Sequence, residues 1–250
     1  MCVLILGGTS EAKTLALQLH KQLAAKNIDV IYSIAGLVRQ PELPCQIVSG
    51  GFRQFGGLTA FIQQHAVAAI LDATHPFAAT MSNTAASAAR ACGIAYWAYQ
   101  RPLWQSEKGD DWRSFEDWPN LLSALKDKRS VMLTAGQMQA THFQQLSRFS
   151  AQKQLLRTAV EPALSLPESM SYIKDIGPFA LADELALMQQ HQVDVLVSKM
   201  SDGKATVAKL LAARSLVIPV YFLARPKAPK ADKVFNDIDA CTASLVQQFV

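Results

Sequence analysis

Residues 1–12 read MCVLILGGTSEA, an apolar run that stops at a pair of glycines and leads into a segment with helical spacing. The unbroken apolar run over residues 3–6 is typical of a strand buried on both faces of a parallel sheet. Over residues 10–26 apolar side chains recur on one face, which predicts an amphipathic helix. A buried strand, a glycine turn and a helix are the first parts of a βαβ unit.

The same alternation continues along the chain and predicts an α/β fold with parallel sheets flanked by helices. Short apolar runs predict further strands at residues 30–35, 46–49, 69–71, 94–99, 131–133, 154–157, 171–176, 193–198 and 220–223. Helical spacing predicts further helices at residues 58–65, 77–92, 137–146, 181–190, 206–215 and 238–249. Residues 100–118 hold three of the four Trp and interrupt the alternation. We interpret them as the crossover between two domains, residues 1–99 and 100–250.

The composition supports a folded chain of this size. Half of the 250 residues are apolar and 18% are charged, which is enough to bury a core and excludes a disordered chain. The four Cys lie far apart, without a CxxC pair or a Cys/His cluster, so we expect neither a disulfide scaffold nor a structural metal site. Isolated apolar thiols favour a reducing, cytoplasmic location.

The charge balance excludes some partners. The net charge is +4 and no Lys/Arg run marks a nucleic-acid stripe, so the excess suits small anionic ligands better than a duplex. The N-terminal apolar run has no basic segment before it, and no stretch of the chain forms a 20-residue apolar span. We therefore expect no signal peptide and no membrane partner.

The glycine turn is the first candidate site. Gly7, Gly8, Thr9, Ser10 and Glu11 lie between a strand and a helix, where free N–H groups and the helix dipole favour a phosphate. The alternative is an ordinary tight turn in which Ser10 caps the helix.

The second candidate follows the strand at residues 69–71. Asp72, Thr74 and His75 form a polar loop that would face the ligand crevice of an α/β sheet, and Pro76 fits the first turn of the next helix. His75 could donate a hydrogen bond or a proton. The alternative is that Thr74 or His75 caps that helix.

Further candidates follow strands of the second half. The loop at residues 198–203 places hydroxyls, Gly and Lys199 before a helix that carries Lys209 and Arg214, a setting for carboxylates or phosphates. The alternative is a solvated helix start. Other polar groups or isolated cations at strand ends are Thr134, Gly136, Arg101, Arg157 and Arg225.

Arg39 lies past the second strand, where a dinucleotide site contacts the adenosine ribose. An acid at this place would favour NAD, and the loop at residues 35–39 has none. This favours a 2′-phosphate, and therefore NADP.

Taken together and in order, the motifs resemble those of the precorrin-6A reductase family of cobalamin biosynthesis, which includes the cobalt-precorrin-6A reductases. The resemblance spans nearly the whole chain, and DATHPFA is its most specific part. One departure is Asp202, since the family more often has SG or SGG in that loop. The motifs are ILGGTSEA at 5–12, GG at 50–51, DATHPFA at 72–78, RP at 101–102, GDDW at 109–112, LTAG at 133–136, GPF at 177–179, SKMSDG at 198–203, KLLAAR at 209–214 and PV..LARP at 219–226.

The resemblance implies two Rossmann-like domains with the active site in the cleft between them. It also implies NADPH as hydride donor and a polycarboxylate tetrapyrrole as substrate, which is reduced at one macrocycle double bond to the 6B product. Because the nicotinamide supplies the redox chemistry, the protein mainly has to orient donor and acceptor. Contacts with neighbouring pathway enzymes for channelling fit the same picture, and whether the substrate holds cobalt stays open.

On this reading the residues divide into three groups. The cofactor residues are Gly7, Gly8, Thr9, Ser10, Glu11, Arg39, Gly50 and Gly51. The catalytic residues are Asp72, Thr74 and His75, with His75 as one candidate for delivering the proton. The substrate residues are Pro76, Phe77, Arg101, Thr134, Gly136, Lys199, Ser201, Gly203, Lys209 and Arg225.

Two alternatives remain. A cofactor-independent tetrapyrrole enzyme that resembles uroporphyrinogen-III synthase would share the architecture but would not bind NADPH. A non-catalytic dinucleotide-sensing module would not need the cationic loops of the second half, so changing Lys199 or Lys209 to Ala would leave its function intact.

Overall fold

The N-terminal apolar run forms β1 (Cys2–Leu6), in which all five side chains are buried, and the glycine turn leads into α1 (Ser10–Leu23). The computed structural model describes residues 1–35, 41–136, 138–203 and 206–249. The chain divides into two compact units. Unit 1 contains Met1–Pro102 and Pro226–Val250, and unit 2 contains Leu103–Arg225.

Unit 1 contains a six-stranded parallel sheet. After α1 come β2 (Asp29–Ile34), β3 (Gln46–Ser49), α2 (Leu58–Gln64), β4 (Val67–Asp72), α3 (Ala79–Cys92) and β5 (Ala95–Tyr99), and the C-terminal segment adds β12 (Lys233–Phe235) and α8 (Ile238–Gln248). The strand order is β3-β2-β1-β4-β5-β12. This is the doubly wound order, in which the chain reverses direction across the sheet between β1 and β4.

Unit 2 repeats this order. Its elements are β6 (Trp112–Phe115), α4 (Trp118–Ala124), β7 (Ser130–Thr134), α5 (Ala140–Leu146), β8 (Lys153–Thr158), β9 (Met170–Lys174), α6 (Leu181–Gln190), β10 (Val195–Lys199), α7 (Ala208–Ser215) and β11 (Val220–Leu223). The strand order is β9-β8-β7-β10-β11-β6, so the reversal lies between β7 and β10. The sixth position is held by β6, which precedes the other strands along the chain.

The C-terminal segment departs from the sequence-based division at residue 99. Residues 226–250 were assigned to the second domain, but β12 pairs with β5 through Lys233 and Trp97. Helix α8 packs on α1, and its fully buried Cys241 belongs to the same core as Leu15. A three-residue edge strand has too few alternating residues to give a sequence signal, and its pairing with β5 is set by long-range contacts.

The segment at residues 100–118 also differs from expectation. It was interpreted as an irregular crossover, whereas it contains β6 and the first residue of α4. Asp117 caps α4 by accepting the Asn120 N–H at 2.9 Å. The exposed Arg113 and Ser114 interrupt the apolar pattern of β6, as is common for an edge strand.

Two further features of the structure concern membrane-spanning helices and the state of the cysteines. No helix within the described residues is long and apolar enough to cross a membrane. All four Cys are free thiols, and burial raises the pKa of Cys2 to about 11 and that of Cys241 to about 12. These two thiols are therefore protonated core side chains rather than nucleophiles.

Candidate functional site

The glycine turn follows β1 at the point where the strand order reverses between β1 and β4, which is the position of the ligand crevice in doubly wound sheets. Gly7 has no room for a side chain, because a Cβ there would overlap the ring of Tyr32. The hydroxyl of Tyr32 accepts the Gly8 N–H at 2.9 Å, and the Gly7 N–H donates to the Ser33 carbonyl at 2.8 Å. The turn is therefore shaped by β2, and two of its N–H groups already have partners.

Gly8 leaves the turn open on the outside. Its φ is +106°, no atom lies within 4 Å of the position a Cβ would take, and the residue is exposed. A φ in this range is unfavourable for residues with a side chain. A ligand can therefore approach the backbone here closely, as a phosphate does in dinucleotide sites.

Thr9, rather than Ser10, caps α1. Its Oγ1 accepts the Ala12 N–H at 3.1 Å and donates to the Ala73 carbonyl at 2.9 Å. The sequence-based alternative of a helix cap at this turn is therefore met by the hydroxyl of Thr9 and not by that of Ser10. Because Ala73 follows β4, the buried Thr9 side chain connects the loop after β1 to the loop after β4. Ser10 is exposed.

Glu11 forms an ion pair with Arg101 at the start of α1. Arg101 Nη2 lies 2.6 Å from Glu11 Oε2, and the two side chains are 11% and 15% exposed. Burial alone would raise the pKa of Glu11, but the hydrogen bonds and charge of Arg101 lower it overall. Arg101 thus compensates a carboxylate that lies next to the glycine turn.

Asp72 organises the second loop from a buried position. Its Oδ1 accepts hydrogen bonds from the N–H and hydroxyl of Thr74 at 3.0 and 2.7 Å, and its Oδ2 accepts from the Tyr96 hydroxyl at 2.7 Å. Burial and the Asp72 charge raise the pKa of Tyr96, which therefore stays a hydrogen-bond donor. Asp72 holds Thr74 in place and is 6% exposed.

His75 follows in a half-buried position. Its Nδ1 accepts the Phe77 N–H at 3.3 Å, and the two rings lie 5.9 Å apart. The predicted grouping of Asp72, Thr74 and His75 is one continuous loop, and Pro76 and Phe77 extend it toward α3.

Two of the predicted cofactor positions lie after β3. Gly50 and Gly51 have φ values of +91° and +82°, and Gln54 Nε2 donates to the Ser49 and Gly51 carbonyls at 2.8 and 2.9 Å. Arg39 lies outside the described residues.

In unit 2, the loops after β7 and β10 meet at the corresponding reversal. Thr134 Oγ1 donates to the Val197 carbonyl at 2.8 Å and accepts from Lys209 Nζ at 3.0 Å. Lys209 is 4% exposed, and burial followed by the charge of Arg157 lowers its pKa to about 7. It therefore supports Thr134 from inside the unit.

A buried ion pair lies near Lys209. Arg157 Nη2 is 2.7 Å from Glu184 Oε1, with side-chain exposures of 6% and 0%. The guanidinium also stacks on the ring of Phe179 at 4.0 Å. Arg157 is thus part of the interior and does not lie at a surface.

Lys199 ends β10 close to Gly136. Its Nζ lies 3.6 Å from the position a Gly136 Cβ would take, and Gly136 has a φ of +74°. Burial lowers the pKa of Lys199, although the side chain keeps partial exposure. The structure thus brings together two of the predicted substrate residues of unit 2, and Ser201 and Gly203 follow in the same loop.

Asp202, the departure from the family motif, has a defined role. Its Oδ1 accepts the Trp104 N–H at 2.5 Å, and its Oδ2 forms an ion pair with Arg225. Arg225 Nε also donates to the Met200 carbonyl at 3.1 Å. Trp104 and Arg225 lie at the two ends of unit 2, where the chain enters and leaves it. Asp202 therefore connects both of these chain crossings to the loop after β10.

Arg214 contacts the first two residues of the GDDW motif, Gly109 and Asp110. It forms two hydrogen bonds to Asp110, each of 2.9 Å, and one to Glu107 at 2.7 Å. Gly109 packs against its stem. Arg214 therefore holds the loop before β6 against α7 and is no candidate for ligand binding.

Sequence reasoning missed the tyrosines on which both loops of unit 1 depend. Tyr32 and Tyr96 lie in strands and read as ordinary apolar positions, although a buried Tyr hydroxyl normally needs a partner. That expectation was the one signal that pointed to them. Within the described residues, no group of three or more His, Cys, Asp or Glu could hold a metal ion.

Comparison with known proteins gives one consistent result. Residues 2–245 match the model of the family described as precorrin-6x reductase CbiJ/CobK. The chain is 40% identical over 243 residues to the precorrin-6A reductase of Rhodococcus erythropolis, which covers 96% of each chain. It is 29% identical over 257 residues to the cobalt-precorrin-6A reductase of Priestia megaterium, which covers 98% of each.

A solved structure agrees with these relatives. The protein described as CobK precorrin-6A reductase superposes with a TM-score of 0.84 at 32% identity, over 99% of this chain and 96% of that one. Because the family model matches residues 2–245 and this structure superposes over nearly the whole chain, the chain belongs to the precorrin-6x reductase CbiJ/CobK family.

Proposed function

We propose that this protein is an NADPH-dependent oxidoreductase that reduces one macrocycle double bond of precorrin-6A to the 6B product in cobalamin biosynthesis. The observation that carries the proposal is the 40% identity over 96% of the chain to a precorrin-6A reductase. The uroporphyrinogen-III-synthase-like and sensing alternatives have no comparable support.

Metal-free precorrin-6A is the preferred substrate. Relatives named precorrin-6A reductase are 34–40% identical to this chain, whereas those named cobalt-precorrin-6A reductase are 25–29% identical. The substrate is a small polycarboxylate tetrapyrrole in either case.

NADPH is proposed as the reductant that such an enzyme needs, and its nicotinamide supplies the hydride when bound. Open space over Gly8 and the N-terminus of α1 fit a diphosphate at the glycine turn. Arg101 is proposed to support diphosphate binding indirectly. It compensates the negative charge of Glu11, which would otherwise repel the diphosphate. Arg39 is proposed to bind the 2′-phosphate of NADPH. Gly50 and Gly51, in the turn after β3, are proposed to contact NADPH as well.

The loop after β4 is proposed as the catalytic wall. Asp72 orients Thr74 through two hydrogen bonds, and Thr9 holds the start of the loop through Ala73. His75 is the proposed proton-delivering side chain, with its Nδ1 already accepting a hydrogen bond. Pro76 and Phe77, which follow this polar loop, are proposed to contact the substrate with their apolar side chains.

Unit 2 is proposed to bind the carboxylates of the macrocycle. Lys199, next to Gly136, is the cation best placed for this role, and Ser201 and Gly203 belong to the same loop. Lys209 is proposed to act through Thr134, because it is buried and bonded to it. Arg225 is proposed to act through Asp202.

The protein is proposed to work in the cytoplasm, in keeping with four free thiols. Channelling contacts with neighbouring pathway enzymes belong to the same proposal.

The test is an anaerobic assay in which NADPH absorbance is followed with precorrin-6A or with its cobalt form. We expect oxidation of NADPH with the metal-free substrate, slower oxidation with the cobalt form, and weaker activity with NADH. His75→Gln serves as the variant for the catalytic wall. Absence of nicotinamide oxidation with both substrates would refute the proposal.

A further inference from the structure

The Asp72 carboxylate at the end of β4 is buried, and its partners are neutral. None of the ion pairs between described residues includes it. Its Oδ1 accepts from the N–H and the hydroxyl of Thr74, and its Oδ2 accepts from the hydroxyl of Tyr96 at 2.7 Å. A buried carboxylate is costly unless hydrogen bonds compensate it, and it can only accept them. These N–H and hydroxyl donors therefore take the place of a cation.

Strand β5 fixes Tyr96 independently of the loop that this side chain supports. Tyr96 pairs with Ile70, and β4 ends two residues later at Asp72, so the tyrosine side chain reaches along the sheet to the end of that strand. Its N–H donates to Asp232 Oδ2 at 2.8 Å, and its carbonyl accepts the Asp232 N–H at 2.9 Å. The position of the hydroxyl is therefore set by the sheet and by the segment before β12.

Ser82 of α3 adds another hydroxyl to this group. Its Oγ lies 3.4 Å from Thr74 Oγ1, and it also hydrogen-bonds the hydroxyl of Tyr96. Burial and then the charge of Asp72 raise the pKa of Tyr96, so its hydroxyl keeps the proton that it donates. Two neighbouring strands and a helix thus contribute to one hydrogen-bonded group.

The hydrogen bond to Asp72 determines what Thr74 can offer to a ligand. A Thr hydroxyl has one proton, and the proton of Thr74 is used in the 2.7 Å bond to Oδ1 of Asp72. Thr74 is half-buried in the loop that is proposed as the catalytic wall. Its oxygen can therefore only accept, so the ligand group that it meets has to be an N–H or O–H donor. An ionised carboxylate or phosphate only accepts, and the charge of Asp72 opposes it as well.

We propose that Tyr96 is a positioning residue of the reductase site, which fixes Asp72 so that Thr74 presents a hydrogen-bond acceptor to the ligand. This inference rests on the proposed reductase function and adds a residue to it. Tyr96 acts through Asp72 and does not itself have to touch a ligand. Without its hydroxyl, Asp72 Oδ2 loses its donor, and the carboxylate is free to turn away from Thr74.

The first test measures amide hydrogen exchange of Thr74 by NMR in the full chain without ligands, since this N–H donates to Asp72 Oδ1. We expect Tyr96→Phe to accelerate exchange at Thr74 roughly tenfold or more. The control is Tyr221→Phe, which removes the hydroxyl of another buried tyrosine, 3.4 Å from Arg113 Nη1 in unit 2. It should leave exchange at Thr74 unchanged. An unchanged Thr74 rate in Tyr96→Phe overturns the inference.

The second test is the anaerobic oxidation of NADPH with precorrin-6A. We expect Tyr96→Phe to lower kcat roughly tenfold or more with little change in the KM for NADPH, and Tyr221→Phe to keep the parent kcat. Thr74→Val should lower kcat in the same way, and Thr74→Ser, which keeps the hydroxyl, should retain most of the activity. Because Tyr96 acts through Thr74, adding Tyr96→Phe to Thr74→Val should cause no further loss.

The outcomes separate this inference from the proposed function. If the parent protein does not oxidise NADPH, the proposed function fails and the role of Tyr96 fails with it. If the parent protein is active and Tyr96→Phe keeps its kcat, or the two losses add in the double variant, this inference alone is overturned. Thermal unfolding completes the comparison. A loss of stability in Tyr96→Phe without a loss of kcat would show that the hydroxyl is structural only.

Discussion

At the scale of single residues, Gly7 is required by a neighbour in space rather than by a turn. A Cβ at this position overlaps the ring of Tyr32, which is fully buried. We expect Gly7→Ala to lower the free energy of unfolding by about 1–3 kcal/mol, as is usual for overpacking. The measurement is urea denaturation in a double-mutant cycle with Tyr32→Ala. If the cost of Gly7→Ala is unchanged in the Tyr32→Ala background, the ring is not the reason for the glycine.

Lys209 makes stability depend on pH. Its pKa falls from its ordinary value of 10.5 to about 7 in the folded protein, through burial and the charge of Arg157, against the opposing effect of Glu184. Between these values the unfolded chain binds more protons, so the free energy of unfolding rises with pH by up to about 1.4 kcal/mol per unit. Below pH 7 the penalty of the buried charge is complete.

The comparison for Lys209 is Lys209→Met, which keeps the apolar stem without the charge. We expect its stability advantage over the parent protein to be largest near pH 6 and to shrink toward pH 10. Urea denaturation across this range measures it. A stability difference that does not change with pH would contradict the assignment.

Glu11 and Arg101 form a coupled pair at the glycine turn. We expect Arg101→Met to destabilise the protein by about 1–2 kcal/mol, because it leaves a partly buried carboxylate uncompensated. Adding Glu11→Gln should recover most of this loss, as measured by chemical denaturation. Additive effects of the two changes would show that the ion pair does not matter for stability.

At the scale of elements, Asp202 joins the loop after β10 to both chain crossings. Its φ of +55° is tolerated by Asp and Asn but disfavours Ala. We expect Asp202→Asn to retain the Trp104 hydrogen bond and to cost about 1–2 kcal/mol, and Asp202→Ala to cost about 1 kcal/mol more. Thermal unfolding of the two variants measures whether Asp202→Ala is the more destabilising change. Equal costs for the two variants would mean that the hydrogen bond to Trp104 contributes nothing.

Most elements could be predicted from local patterns. The predicted strand at residues 46–49, the helix at residues 181–190 and the strand at residues 220–223 coincide with β3, α6 and β11, because each is a short apolar or amphipathic run between turn residues. β6 and β12 could not be predicted, since edge strands with exposed side chains lack the pattern of a buried strand.

At the scale of the whole molecule, each unit depends on which segments complete it. Unit 2 is one continuous stretch, Leu103–Arg225, with its own six-stranded sheet. We expect a fragment of these residues to unfold in one cooperative transition by circular dichroism. A fragment of residues 1–102 lacks β12 and α8, so it should be unstable unless residues 226–250 are linked to its end. A stable, cooperative 1–102 fragment would contradict this view.

Part of the candidate site could be located from the sequence and part could not. The motifs with Gly7, Asp72 and Lys199 could be located from the sequence, because glycine turns and polar loops after buried strands have a local signature. The supporting roles of the buried Lys209 and the half-buried Arg225 could not, since the sequence does not show which side chain a cation at a strand end or helix start will contact. Their partners, Thr134 and Asp202, lie far from them along the chain.

The sequence by itself determined the parallel α/β architecture, the places where loops follow buried strands and the family to which the chain belongs, because these depend on local periodicity and on the order of motifs. Only the tertiary structure decided that residues 226–250 complete unit 1, that Tyr32 and Tyr96 shape the two loops of that unit, and that Arg101 pairs with Glu11. Strand pairing and side-chain partners are long-range contacts, and the free energy that selects them comes from burial and hydrogen bonding in the folded chain.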